Sequence, residues 1–347
     1  MNIYFLDEHL KDYAVLDSFA SLIWTKRYYT YGEFELYVPA SDGITTILDT
    51  CPYVMRDDDD SVMIVENIKI STDAENGDFY TITGRSIESI LTRRIVWEQT
   101  NLNETDPAEA IYKLLEYNVT DPEIAARFIP NFVVDETLTT TGAVKMQVTG
   151  SELAETITNI CKSFGLGWKI SRLRGLGTAD AMQFSLYQRG EVSVTFSPEF
   201  DNLISSDYYR ETTKYKNVAL VAGEGEGVDR RRAVVNPTAE GLERRELYVD
   251  ARDISSNDGE IGEEAYTAAL TTRGEQKMLE EHTAAYGFEG TIEPSGAYKY
   301  KVDYDLGNIV TVSNGYGVTA TPRIVEIIEC WDETGYTVCP TFETWEV

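Results

Sequence analysis

The sequence predicts an α+β chain that is mainly β, ordered as β, then a small α/β part, then β again. Three observations carry this expectation. In Glu33-Phe34-Glu35-Leu36-Tyr37-Val38 the apolar residues Phe34, Leu36 and Val38 fall on one face at period two. Asn-Gly pairs at 76–77 and 314–315 stand between strand-like runs, and Asn-Gly supplies the positive backbone angles of a tight hairpin. Two helical patterns with apolar stripes lie in the middle third, which is unlike the regular strand-helix alternation of a doubly wound sheet.

In chain order, residues 62–70 and 79–83 read as strands joined at Glu75-Asn76-Gly77. Gly84 then introduces a helix over 86–94, with Ser86 as N-cap and Ile87, Ile90 and Leu91 at helical spacing. The character changes near residue 100. Asp106-Pro107 places a capping carboxylate before a proline at the first helical position, and Ile111, Leu114 and Leu115 mark a buried stripe running to about Asn118. A second helix begins near Ser151, carries Leu153, Ile157 and Ile160 on one face, and stops at Gly165 and Gly167 before the strand Gly167-Trp168-Lys169-Ile170. Strands resume at 182–187, 192–196 and 218–221, the last running into a glycine-rich turn. A charged helical stretch over 263–282 interrupts them; being mostly polar, it reads as an insertion or strap rather than a core helix. Strands at 308–312 and 323–329, with turns at Asn314-Gly315 and near Gly335, close the chain. The expected units are 1–100, 101–200 and 201–347, the last with a helical insertion near 262–284.

Composition narrows the function classes. The 59 acidic residues against 30 basic ones leave a formal charge of -29 over 347 residues, which argues against a surface that grips nucleic-acid phosphates. Such acidity fits solubility, a salt-adapted host or a lined channel. Cys51, Cys161, Cys330 and Cys339 form no C-x-x-C pair suited to zinc or redox work, and a reducing compartment fits. The amino terminus lacks a basic n-region, and no later apolar run is long enough to span a bilayer, so neither export nor membrane insertion is expected. The glycosylation-type triplets at Asn103 and Asn118 are read as chance.

The candidate chemical motifs each have a plainer reading. Gly223-Glu224-Gly225-Glu226-Gly227 follows a strand as a phosphate loop would, but it is not G-x-G-x-x-G and has no Lys-Ser/Thr. Two glutamates would also face the anion, so Gly223, Gly225, Gly227 and the nearby Arg230 are assigned to a structural turn, with Gly225 at positive φ. Arg230, Arg231 and Arg232 lie beside Glu224, Glu226 and Asp229 and read as a salt-bridged surface or subunit contact. Asp57-Asp58-Asp59-Asp60 lacks the alternate spacing and the glycine of a calcium loop and reads as a solvated turn. With His9 and His282 as the two histidines, both expected to be exposed, a histidine triad or multi-histidine metal site is excluded. A pair of carboxylates could still serve a glycosidase, yet nothing singles one out. No catalytic residue, cofactor site or metal site is assigned.

Three segments resemble the tail-hub proteins of long-tailed siphophages and related prophages. They are Tyr215-Lys216-Asn217-Val218-Ala219-Leu220-Val221-Ala222-Gly223 through Gly227 with Arg230, Thr81-Ile82-Thr83-Gly84-Arg85-Ser86 leading into Leu91 and Arg94, and Tyr304-Asp305-Leu306-Gly307-Asn308-Ile309-Val310-Thr311-Val312 followed by Arg323-Ile324-Val325-Glu326-Ile327. Their spread covers essentially the whole chain. The resemblance implies a baseplate-hub-like fold with two β-barrel-like domains and the small α/β domain between them. It also implies a homotrimer forming a pseudo-sixfold ring between the tail tube or distal tail proteins and the tail-tip or fibre proteins. Phage DNA would pass the channel without specific binding. The chain would be assembled in the host bacterial cytoplasm and carried in the virion at the tail tip. Many such relatives carry a long carboxy-terminal peptidase or glycan-degrading extension; this chain stops at Val347, so the enzymatic module is expected to be missing. A tail-associated lysin and a host-carbohydrate-binding β-protein remain the alternatives.

Overall fold

The computed structural model describes residues 1–73, 77–175, 177–200, 202–257, 259–281, 285–292, 296–314, 316–317 and 319–343. Its largest element is an eight-stranded antiparallel sheet with the strand order Leu203–Glu211, Ala285–Ile292, Gly335–Phe342, Ile324–Asp332, Ser21–Arg27, Glu33–Pro39, Gly77–Arg85, Asn67–Asp73. Segments 1–100 and 201–347 therefore contribute four strands each to one sheet. They meet where Ile324–Asp332 pairs with Ser21–Arg27, with Glu329 opposite Trp24. The two outer strands do not pair with one another, and no closed barrel forms among the described residues.

A second sheet, Asp12–Leu16, Ile3–Leu6, Tyr53–Arg56 and Val62–Ile64, lies against the amino-terminal half of the first. The alternation in Glu33–Pro39 is what makes this possible: Phe34, Leu36 and Val38 are buried and their neighbours face out. They share a core with Ile3, Phe5, Leu22, Trp24, Val54 and Ile82. Helix α1, Asp42–Thr50, closes that core with Ile44 and Leu48, and Ser41 caps it by accepting the Ile44 N–H at 3.3 Å.

The run read as one strand over 62–70 divides. Val62–Ile64 joins the smaller sheet and Asn67–Asp73 joins the larger one, because the chain crosses between layers at Val65-Glu66. Gly77, at φ +87°, opens the return strand, while Glu75 and Asn76 lie outside the described residues. The helix expected over 86–94 is 3-10 in form, Ile87–Arg93, and Ser86 does not cap it; the Ser86 hydroxyl instead accepts the Gly32 N–H at 2.8 Å.

In the middle of the chain, Asp106 caps helix α2, Pro107–Leu115, through the Ala108 N–H at 2.8 Å and also holds Thr140. Helix α3, Leu153–Phe164, ends at Gly165 with φ +63°. Leu153, Ile157 and Ile160 are buried in a core shared with Ile111, Leu114 and Trp168. Strand Gly167–Leu173 runs antiparallel to Ala181–Tyr187, which in turn pairs in parallel with Phe132–Asp135.

The stretch between Glu211 and Ala285 is an insertion. The strands on either side, Leu203–Glu211 and Ala285–Ile292, pair antiparallel with Glu211 opposite Ala285, so the chain leaves and re-enters the large sheet at one point. Within the insertion Val218–Ala222 is central, antiparallel to Arg232–Val235 and parallel to Glu246–Asp250. Helix α4, Glu263–Glu281, covers one face of this three-stranded sheet. The reading of that helix as a strap is corrected: Tyr266 and Leu270 are each 1% exposed and form the core with Ala219, Val221, Val235 and Val249. Its apolar signal is weak because Gly274 supplies part of the contact. A β-carbon there would lie 2.6 Å from Val221 and 2.7 Å from Val235. His282 and Gly315, named above, lie outside the described residues.

Candidate functional site

The densest chemistry sits where the two sheets, the middle unit and the carboxy-terminal strands converge, around residues 56–60. Arg56 ends strand Tyr53–Arg56 with a fully buried side chain. Its guanidinium donates to Glu329 Oε2 at 2.8 Å and to Asp58 Oδ2 at 2.6 Å, and lies between the rings of Trp331 at 4.3 Å and Trp24 at 5.5 Å. The Tyr336 hydroxyl donates to Glu329 Oε1 at 2.8 Å. Asp59, with a side chain 1% exposed, accepts from Lys26 at 2.8 Å and Lys301 at 3.2 Å. Burial by itself would raise the Asp59 pKa, but the two ammonium groups and Arg56 outweigh it and hold the carboxyl well below the usual range. Asp60 pairs with Lys169. The expected solvated turn is thus an ion-pair junction that joins residues 56–60 to four other stretches of chain, at Lys26, Lys169, Lys301 and Glu329. A single sequence shows the carboxylates but not their distant partners.

Beside this junction lies a cleft of about 390 Å³, lined in part by Lys26, Arg27, Ser61, Glu88, Trp168 and Arg189. Glu88 is its most unusual group. Its Oε1 accepts the Ile170 N–H at 3.0 Å, while Oε2 has no hydrogen-bond partner among the described residues. Burial raises its pKa, against the smaller opposing pull of the Ser86 hydroxyl and the Ile170 N–H. The rim charges are paired, Arg27 with Glu33 and Glu326, Arg189 with Asp305. No histidine or cysteine is among the described lining residues. The reading of the sequence missed Glu88, Arg56 and Glu329; the available signal was a charged residue at an inward position of an apolar pattern.

The glycine-rich turn is elsewhere, in the insertion. The Gly223 N–H donates to the Arg231 carbonyl at 2.9 Å, and the Glu224 N–H donates to the Tyr266 hydroxyl at 2.8 Å. Both are satisfied inside the protein rather than aimed at an anion. Gly225 has φ +95° and Gly227 φ +53°. Arg230 donates to the carbonyls of Gly223 at 2.9 Å and Ala222 at 2.7 Å and pairs with Asp250 at 2.6 Å, so it closes the turn onto strand Glu246–Asp250. Arg231 pairs with Glu224 and Glu263 and stacks on Tyr266 at 3.9 Å. His9 is half-exposed beside Glu8 in the amino-terminal turn. No cluster of three or more His, Cys, Asp or Glu side chains among the described residues is arranged to hold a metal ion, and no described helix is long and apolar enough to cross a membrane.

The sequence model of the Siphovirus ReqiPepy6 Gp37-like protein family matches residues 1–342. The chain belongs to that family. Among curated proteins no significant match is found. Solved structures agree in fold from end to end. The tail protein from Neisseria meningitidis MC58 superposes with a TM-score of 0.59 at 13% identity, over 99% of this chain and 96% of that one. The 43 kDa tail protein of prophage MuSo2 from Shewanella oneidensis gives 0.56 at 11% identity, over 99% and 98%. The prophage tail protein gp18 from Listeria monocytogenes EGD-e gives 0.52 at 11%, over 100% and 96%. This siphophage family member thus has the mainly β, baseplate-hub-like fold of phage tail proteins, as the three segments quoted above imply.

Proposed function

We propose that the chain is a structural hub and adaptor of a phage tail tip. In this reading three copies form a ring with a central channel that joins the tail tube or distal tail proteins to tail-tip and fibre proteins. Phage DNA passes that channel without specific binding. The chain is assembled in the bacterial cytoplasm, is carried in the virion, and performs no catalysis. The observation that carries the reading is the fold likeness to three tail proteins, two of them from prophages, across at least 99% of this chain and at least 96% of each of theirs.

Two further features support it. The net charge of -29 leaves no counterion-release gain for DNA at most of the surface. The buried Arg56–Glu329 pair ties the amino-terminal sheet to the carboxy-terminal strands, a link that suits a load-carrying ring. Gly223, Gly225, Gly227 and Arg230 act here as a structural turn.

The test is the mass in solution by light scattering together with negative-stain images. Three times the 39.1 kDa chain mass and a ring outline are expected. A monomer at all concentrations, with no ring in images, overturns the reading.

A further inference from the structure

The insertion carries a face of opposite character to the rest of the chain. One side of its three-stranded sheet is covered by α4, but the other is not. There Leu220 lies opposite Val234 on one neighbouring strand and Tyr248 on the other, giving an apolar row three strands wide. Val234 is 48% exposed and Tyr248 57%. Isolated surface apolar residues need no explanation, whereas a contiguous row flanked by tyrosine and arginine has the composition of an interface centre.

The flanking charge decides the partner. Arg232 is exposed on the same face, and its guanidinium hydrogen bond goes to the Gly227 carbonyl at 3.1 Å rather than to a carboxylate. Arg230 reaches the Tyr248 hydroxyl at 2.7 Å and pairs with Asp250 at 2.6 Å, and Arg252, 68% exposed, pairs with the same carboxylate at 2.6 Å, so two arginines share one counterion on a face that also carries Glu246. Around the row itself Arg230, Arg232 and Arg252 stand against Glu246 and Asp250, a balance of one positive charge, in a chain of net charge -29. With a net charge of -29, two copies of this chain repel each other on average. This face can meet the acidic exterior of a neighbour without that penalty, with the apolar row supplying the desolvated centre.

We propose that the Leu220–Val234–Tyr248 face, edged by Arg230, Arg232 and Arg252, is a subunit interface that docks the insertion of one copy onto an acidic surface of a second copy. The inference rests on the self-assembly proposed above and adds which face makes the contact. Val234 and Arg232 are exposed and outside every core cluster, so Val234→Asp and Arg232→Glu should leave the fold intact, with unchanged far-ultraviolet circular dichroism and urea midpoint.

The deciding measurement is sedimentation of the wild-type chain and both variants over a concentration series. The expected result is assembly that half-dissociates at a concentration at least tenfold higher for each variant than for the wild type, with a wild-type midpoint that also rises with salt. Folded variants that assemble as the wild type does overturn this inference while leaving the ring reading standing. A wild-type chain that never self-associates removes both. A labelled DNA duplex supplies the remaining arm: if the wild type binds it and Arg232→Glu abolishes that binding without changing the assembly, the face contacts nucleic acid and the proposal fails.

Discussion

Arg56 and Glu329 are 273 positions apart in sequence and 2.8 Å apart in the fold, both buried, with the Arg56 guanidinium between the rings of Trp24 and Trp331. The pair ties the strand Tyr53–Arg56 of the smaller sheet to Ile324–Asp332 of the larger one. Removing one partner of such a pair leaves a buried charge short of its counterion, whereas removing both leaves an apolar slot. Glu329→Gln should therefore destabilise the chain by about 3 kcal/mol, the lower end of the usual range because Asp58 still holds Arg56. The double variant Arg56→Met/Glu329→Leu should recover most of that loss in urea unfolding. A single variant as stable as the wild type would show that the pair contributes little.

The pH dependence of stability should have two limbs of opposite sign. Asp59 and Asp180 both have folded pKa values below their unfolded ones. For Asp180, burial is outweighed by Lys11, the Gly175 N–H and Arg172, which hold it at about 2. Their contributions are complete above the unfolded carboxylate range and are lost as pH falls through it, for Asp180 between about 4 and about 2. Asp59→Asn should flatten this acid limb.

Glu88 behaves the other way, because its folded pKa is raised by burial. Its contribution is fully present below the unfolded glutamate value of about 4.3 and is lost as pH rises through the folded value. Glu88→Gln should thus gain stability relative to the wild type on going from pH 4 towards neutrality. Urea midpoints taken across that range check it, and parallel curves for the two proteins would contradict it.

Gly225 at φ +95° stands where a β-carbon would lie 2.8 Å from the Asp229 carbonyl oxygen, whereas nothing lies within 4 Å of the corresponding point at Gly227. Gly225→Val should cost at least about 2 kcal/mol and Gly227→Ala about 1 kcal/mol, the latter from backbone strain alone. Soluble yield and thermal midpoint report the difference. Calorimetry on the wild type should find no micromolar nucleotide affinity for this turn.

Cys161 is fully buried and burial pushes its thiol far up, while Cys330 and Cys339 are half-exposed. Alkylation at pH 8 should modify the latter pair first and reach Cys161 only at the rate of unfolding. Rapid native-state labelling of Cys161 would count against this packing.

The sequence by itself determined the features that depend on near neighbours. Period-two alternation placed Phe34, Leu36 and Val38 on a buried face, Asp106-Pro107 marked the start of α2, and Gly165 marked the end of α3, because each depends on residues within one turn or one strand. The three quoted segments pointed to the phage tail fold for the same reason, being local patterns. Only the tertiary structure decided matters that rest on long-range pairing. It split 62–70 between two sheets and turned Asp57–Asp60 from an acidic run into an ion-pair junction with Lys26, Arg56, Lys169 and Lys301. It also made α4 a core helix despite its polar composition, since Gly274 and two well-placed side chains, Tyr266 and Leu270, suffice to seat it on a small sheet. A charge's environment is set by whatever the fold brings within a few ångströms, and for Arg56 and Glu329 that neighbour lies almost the whole chain away.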